Sequence, residues 1–135
     1  MVAVDYTMSI NFKCKKRKFD DVNPQFQSMA YHKRAIEYSK RKNYAKAIQD
    51  YSSAISRHAL NDSYYYRGIC QNNIGNYEKA VTDFTTAIQN DPQNGKIFYN
   101  RGKSYKKMND CGSAAKNFKE ACELGISIAC REICN

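Results

Sequence analysis

Large apolar and small residues recur along this chain at helical rather than strand spacing. Tyr77, Ala80, Val81, Phe84, Ala87 and Ile88 follow one another at intervals of three, one, three, three and one, which line up on one face of a helix. Tyr64, Gly68, Ile69 and Cys70 form a similar segment just before them. Gly75-Asn76 between the two segments reads as a tight turn with a helix N-cap, and Pro92 stands where the second helix must stop. The unit is therefore two helices joined by a short turn.

The unit repeats. Asn43-Tyr44-Ala45-Lys46-Ala47-Ile48 matches Asn76-Tyr77-Glu78-Lys79-Ala80-Val81 at a shift of 33, and Ala80, Phe84 and Ala87 fall on Ala114, Phe118 and Ala121 at a shift of 34. Tyr64-Tyr65-Tyr66-Arg67-Gly68 falls on Phe98-Tyr99-Asn100-Arg101-Gly102. Three copies occupy 28–60, 61–94 and 95–128, and a period of this length marks a solenoid. The spacing predicts helices over 26–41, 44–57, 62–74, 77–89, 95–108, 111–123 and 126–134. The last carries Ile126, Ala129, Cys130 and Ile133 on one face and is expected to cover the open end of the array. Gly68 and Gly102 are expected to face Ala80 and Ala114, small against small.

Unit two presents Tyr64, Gly68, Tyr77, Ala80, Phe84, Ala87 and Pro92 in order; unit one presents Tyr31, Ala35, Tyr44, Ala47, Tyr51 and Ala54; unit three presents Phe98, Gly102, Ala114, Phe118 and Ala121, with Cys111 in place of the aromatic after the turn. These residues resemble the tetratricopeptide repeat family. The resemblance implies an all-α fold, a right-handed α-solenoid of three helix-turn-helix repeats with a short capping helix, whose first helices line a concave groove. The repeat domain is expected over 25–135, after an N-terminal segment of residues 1–24.

The resemblance places Tyr65, Tyr66, Asn73, Lys96, Tyr99, Asn100, Lys103, Lys106 and Lys107 in the groove. Tyrosine offers contact area and a polar tip, asparagine can bond an extended peptide backbone, and lysine favours acidic flanks. The site expected for a peptide is Tyr65, Tyr66, Asn73, Lys96, Tyr99, Asn100, Lys103 and Lys107, with the bland alternative a solvated lysine face. Relatives that bind heat-shock chaperone tails hold two carboxylates with Lys and Asn in unit one, Asn in unit two, and Lys and Arg in unit three. Here those positions are His32, Ile36, Tyr66, Lys96 and Asn100, of which only Lys96 matches. On that comparison chaperone tails are not expected as ligands.

Arg34, Arg67 and Arg101 recur, and Asp50, Asp83 and Asn117 recur sixteen residues after them. This spacing reads as an arginine–carboxylate ladder between paired helices, in preference to an arginine row reading phosphate.

Charge changes the picture in one respect. The 135 residues carry a net +9, as +2 over 1–24, +5 over 25–60, −2 over 61–94 and +4 over 95–135. Such a balance favours anionic partners. The leading function is a peptide-binding adaptor or scaffold for an acidic ligand. The alternative is nucleic acid held by the basic ends, against which the acidic middle unit interrupts any phosphate track. Residues 2–12 alternate apolar and polar like a strand and read as a tail, as a fragment of another element, or as a segment that pairs or packs elsewhere. Lys13, Lys15, Lys16, Arg17 and Lys18 follow as a basic run, either a nuclear-import or nucleic-acid patch or a linker.

Two histidines, no nucleophile with a placeable base, and no phosphate-binding glycine loop leave an enzyme reading without material, and no cofactor or metal is expected. No stretch has the apolar length of a membrane span. Without a secretory leader in residues 2–12, a cytoplasmic location is expected. Of six cysteines, Cys70 sits at a small-residue core position, and Cys130 and Cys134, one turn apart, could supply half a metal site. The eight-residue spacing of Cys122 and Cys130 looks like the disulfide spacing of cysteine-rich secreted bacterial members of the same family. These two are expected within bonding reach but reduced in the cell, the remaining cysteines forming no such framework; paired, they would indicate secretion instead.

Overall fold

The computed structural model describes residues 21–134, all-helical and without a strand among them. Six α-helices run in order: α1 (Pro24–Lys40), α2 (Tyr44–Arg57), α3 (Asn61–Asn73), α4 (Tyr77–Asn90), α5 (Gly95–Lys107) and α6 (Cys111–Glu123), followed by a 3-10 turn at Ser127–Arg131. The alternating segment 2–12 and the basic run 13–18 lie outside the described residues. The chain divides into two compact parts within α3, one up to Ser63 and one from Tyr64.

The turns explain why helices end where they do. Lys42, Gly75 and Asn109 all take positive φ (59°, 84° and 61°) at the same place in successive hairpins. Each allows a pair of backbone bonds that close the preceding helix, such as Gly75 N to Asn72 O and Asn76 N to Gln71 O. The next residue begins the following helix: Asn43 Oδ1 accepts from Lys46 N, and Asp110 Oδ1 accepts from Ser113 N. The Ser113 hydroxyl first, and then that backbone bond, hold the Asp110 carboxyl below its ordinary pKa.

In the first part, α1 and α2 pack as an antiparallel hairpin around Ala30, Ala35, Ala47, Tyr51 and Ala54, all buried. In the second, Ala80, Phe84, Ala87 and Ile97 form the core, with Tyr64, Tyr65, Ile69 and Ile88 packed against it. Here one expectation needs correction. Gly68 and Gly102 do not face the alanines. A Cβ on Gly68 would lie 2.7 Å from Phe84 Cε1, and one on Gly102 would lie 2.7 Å from Phe118 Cε1. The ring of the second helix fills the space that a side chain on the first would need.

The arginine ladder is present. Arg34 Nε donates to Asp50 Oδ2 at 2.6 Å and Nη2 to Oδ1 at 2.8 Å. Arg67 repeats the fork on Asp83 at 2.9 and 2.7 Å. In the third hairpin Arg101 Nε donates to Asn117 Oδ1 at 2.7 Å and Nη1 to Thr85 Oγ1 at 3.1 Å. Each guanidinium also lies 5.6–5.8 Å from the ring three residues before it: Tyr31, Tyr64 and Phe98. Asp50 and Asp83 are buried, so their charges depend on the fork. Arg101, with no carboxylate, has its pKa lowered by burial.

The C-terminus departs most from expectation. Instead of a helix over 126–134 the chain makes one 3-10 turn and then runs extended from Glu132. Of its expected apolar face only Ala129 is buried, while Ile133 is 67% exposed. Two disulfides account for this, Cys122–Cys130 and Cys111–Cys134. Cys111 and Cys122 stand about 16 Å apart along α6. Four residues of helix advance only about 6 Å, whereas four extended residues reach about 13 Å. The chain must therefore leave helical conformation before Cys134, as it does at Glu132, to meet both partners. The expectation that the other cysteines form no framework is therefore corrected, as is the half metal site at Cys130 and Cys134. Cys70 is buried and belongs to neither of these bridges.

Two outcomes test this packing. Gly68→Ala should lose about 1–3 kcal/mol in urea unfolding, because the methyl must displace the Phe84 ring. Arg67→Met should cost about 3 kcal/mol by stranding Asp83, while Arg67→Met/Asp83→Leu should recover most of that loss. A double variant no more stable than the single one would show that the fork is not what Asp83 depends on.

Candidate functional site

The expected site residues all lie in the part from Tyr64 onward, on α3 and α5. Both are first helices of a hairpin, and both have their second helix packed behind them, which leaves one side of each toward solvent. Tyr65 is half-buried, its ring 6.0 Å from Phe84, and it meets Tyr66 edge-on at 5.2 Å. Tyr66 is 40% exposed. Asn100 Nδ2 donates to the Tyr65 hydroxyl at 3.1 Å and to Lys96 O at 2.9 Å. Burial and the neighbouring Tyr66 raise the Tyr65 pKa, so the phenol remains a neutral hydrogen-bonding group.

A second cluster surrounds Tyr99. Its ring packs 5.8 Å from Phe118, and Lys103 Nζ lies 5.0 Å from its centre. Its hydroxyl donates to Glu132 Oε1 at 3.1 Å, and Lys106 Nζ lies 3.0 Å from Glu132 Oε2. Burial first, and then Glu132, raise the Tyr99 pKa; the Lys106 contact lowers that of Glu132. Lys96, Lys103 and Lys107 are exposed.

Two of the expected residues engage their amides within the protein. Asn73 gives its amide to Ile69 O at 2.9 Å and joins neither cluster. Asn100 donates both amide hydrogens inside the protein, to the Tyr65 hydroxyl and to Lys96 O. One residue of the Tyr99 cluster went unread in sequence: Glu132 stands 33 residues after Tyr99, one repeat period away. That spacing was the available signal, and Tyr65 with Asn100, 35 apart, shows the same cross-repeat contact.

In the first part, His32 lines an open cleft of about 460 Å³ with Met29, Lys33, Leu60, Asn61 and Asp62. His32 Nδ1 is 2.8 Å from Ser63 Oγ, and the ring meets Tyr51 edge-on at 5.4 Å. Among the described residues, no group of three His, Cys, Asp or Glu could hold a metal ion, and no helix is long and apolar enough to cross a membrane.

Comparisons with known proteins agree with this fold. Residues 62–94 and 95–124 each match a family model described as a tetratricopeptide repeat. No curated protein sequence matches the chain significantly. Among solved structures, the TPR domain of Arabidopsis OM64 is similar with a TM-score of 0.74 and 23% identity, covering 78% of this chain and 93% of that one. The second TPR domain of Spaghetti (RPAP3), bound to the HSP90 peptide SRMEEVD, is similar with a TM-score of 0.71 and 27% identity, over 76% and 94% of the two chains. The second TPR domain of human RPAP3, in complex with the HSP70 peptide SGPTIEEVD, has a TM-score of 0.72 and 24% identity, over 81% and 99%. Residues 62–124 are thus two tetratricopeptide repeats, in a chain with the fold of TPR solenoids.

These neighbours overturn the exclusion of heat-shock chaperone tails. That exclusion rested on identity at His32, Ile36, Tyr66, Lys96 and Asn100. Carboxylates require correctly placed donors rather than particular residues at five positions, and similar TPR domains do hold such peptides.

His32 gives the test here. Burial lowers its pKa from the ordinary 6.5, with Asp62 opposing and Lys33 assisting. The unfolded chain then binds the proton more readily than the folded one. Stability should be full above 6.5, fall as the pH drops through that value, and level off below the folded pKa. In His32→Gln this part of the pH dependence of thermal unfolding should vanish.

Proposed function

We propose that this protein is an interaction module, an adaptor or scaffold that binds an extended acidic peptide along the solvent side of α3 and α5. The carrying observation is the chemistry of α5: Lys96, Lys103, Lys106 and Lys107 with Tyr99, and no acidic residue in the helix. A carboxylate approaching that helix meets positive charge along its length, and Glu132 is the acidic side chain seen to contact Tyr99 and Lys106 there. Tyr65 and Tyr66 beside it supply rigid aromatic area for an apolar anchor at small entropic cost. The acidic tails carried by the RPAP3 complexes belong to the same ligand class. Exposed lysines act chiefly on encounter rate, since free charges are screened over about 8 Å at physiological salt. Among the described residues nothing favours the nucleic-acid alternative.

The two disulfides support an oxidising compartment for the form described here, in place of the cytoplasm expected from sequence. In protein purified without reductant, mass spectrometry after alkylation under denaturing conditions should then find Cys111, Cys122, Cys130 and Cys134 unlabelled.

Binding is tested by peptide titration followed by NMR. Acidic peptides should shift Tyr65, Tyr66, Tyr99 and Lys103. Tyr65→Ala/Tyr66→Ala should weaken binding at least tenfold, and Lys103→Ala/Lys107→Ala should slow association several-fold with a smaller effect on dissociation. Shifts confined to α4 and α6 would refute the site.

A further inference from the structure

The protein already places one carboxylate on the lysine helix. Glu132 accepts from the Tyr99 hydroxyl with one oxygen and faces the Lys106 ammonium with the other. It does so from a short extended stretch fixed at both ends, by Cys130 to Cys122 at one end of α6 and by Cys134 to Cys111 at the other. The pair itself is partly open to water, the Lys106 side chain 41% exposed and that of Glu132 22%. Such an ion pair is weak alone. Held on a cross-linked stretch only two residues from each bridge, the carboxylate competes as an intramolecular group, at an effective concentration that a free ligand cannot easily match.

We propose that Glu132 stands in for an acidic group of the peptide ligand, and that the two disulfides keep it on Tyr99 and Lys106 until they are reduced. The proposal rests on the reading that this face binds acidic peptides, and it adds the position of one ligand carboxylate and a means of control. A dithiol reductant supplies the chemistry. Each bridge takes up two electrons and two protons to give two thiols, and the reductant's own thiols close to a disulfide. The tail is then tied only by its backbone, and a ligand carboxylate takes the Tyr99 hydroxyl and the Lys106 ammonium in its place.

The test uses the full chain and the fluorescein-labelled acidic peptide SRMEEVD. Affinity is measured for the oxidised protein, the protein reduced with dithiothreitol, oxidised Glu132→Gln, and Cys111→Ser/Cys134→Ser. Glu132→Gln and the reduced protein should each bind about three- to tenfold more tightly than the oxidised form, with the serine variant between. Reduction should add little to Glu132→Gln, because the competitor is already gone. Equal affinity of oxidised wild type and Glu132→Gln would overturn the stand-in role. Side-chain NMR of Tyr99 and Lys106 without peptide reads the release separately. Signals unmoved on reduction would overturn the redox control, whatever the peptide does. Signals that move while SRMEEVD binds no form would bring down the peptide reading and the stand-in role with it, and would leave the redox release of the tail standing.

Discussion

Everything in the hairpins from Tyr64 onward depends on a missing Cβ. Phe84 and Phe118 can lie flat against the first helix of their hairpin only because Gly68 and Gly102 leave the backbone bare at the contact. That close approach sets the distance between the helices, and the distance sets the reach of the arginine fork. Arg67 meets both oxygens of Asp83 because the helices stand close; a wider crossing would leave a buried carboxylate with water-sized gaps instead of donors. The aromatic ring thus does two things. It fills the core, and by refusing a neighbour of any size it sets the geometry on which a buried charge relies.

The same packing decides what is left for binding. With one side of α3 and α5 committed to the second helices, the residues on the other side are free to be chosen for chemistry. Tyr65 and Tyr99 show the transition within a single side chain. Each ring is braced against a buried phenylalanine, and each hydroxyl reaches a polar partner one repeat further on. An aromatic braced in this way presents its exposed edge with few alternative rotamers, which lowers the entropy lost when a ligand covers it.

Much of this was legible in the sequence, for a physical reason. A period of 33–34 residues repeats each packing constraint, so a weak signal at Tyr31 or Ala114 is reinforced by its counterparts. The Arg34–Asp50 and Arg67–Asp83 forks could be read from spacing because sixteen residues is the distance across one turn between paired helices. Glycine identity was legible but its partner was not: spacing cannot say whether a small residue faces another small residue or a ring. The tail was the least legible. Ile126, Ala129, Cys130 and Ile133 have helical spacing, yet a cross-link at each end of α6 demands more length than a helix can give. A covalent constraint between distant residues leaves no trace in local periodicity. For the same reason Glu132, which helix placement would have put on a solvated cap, was not recognised beside Tyr99. The bond Asn73 makes was not legible either, since spacing does not say that an exposed asparagine in the last turn of a helix satisfies itself on the carbonyl four residues back.

The nested bridges have a consequence for how the protein comes apart. Helical repeat arrays usually melt from their ends, where a terminal repeat has a neighbour on one side only. Here the loop 122–130 lies inside the loop 111–134, and both close over α6. Unfolding α6 and the tail would recover little chain entropy, because the bridges hold the ends of that segment together even when it is unfolded. Fraying is therefore directed to the other end, toward α1, where no cross-link acts among the described residues. The array has a direction of unfolding, written by the placement of four cysteines.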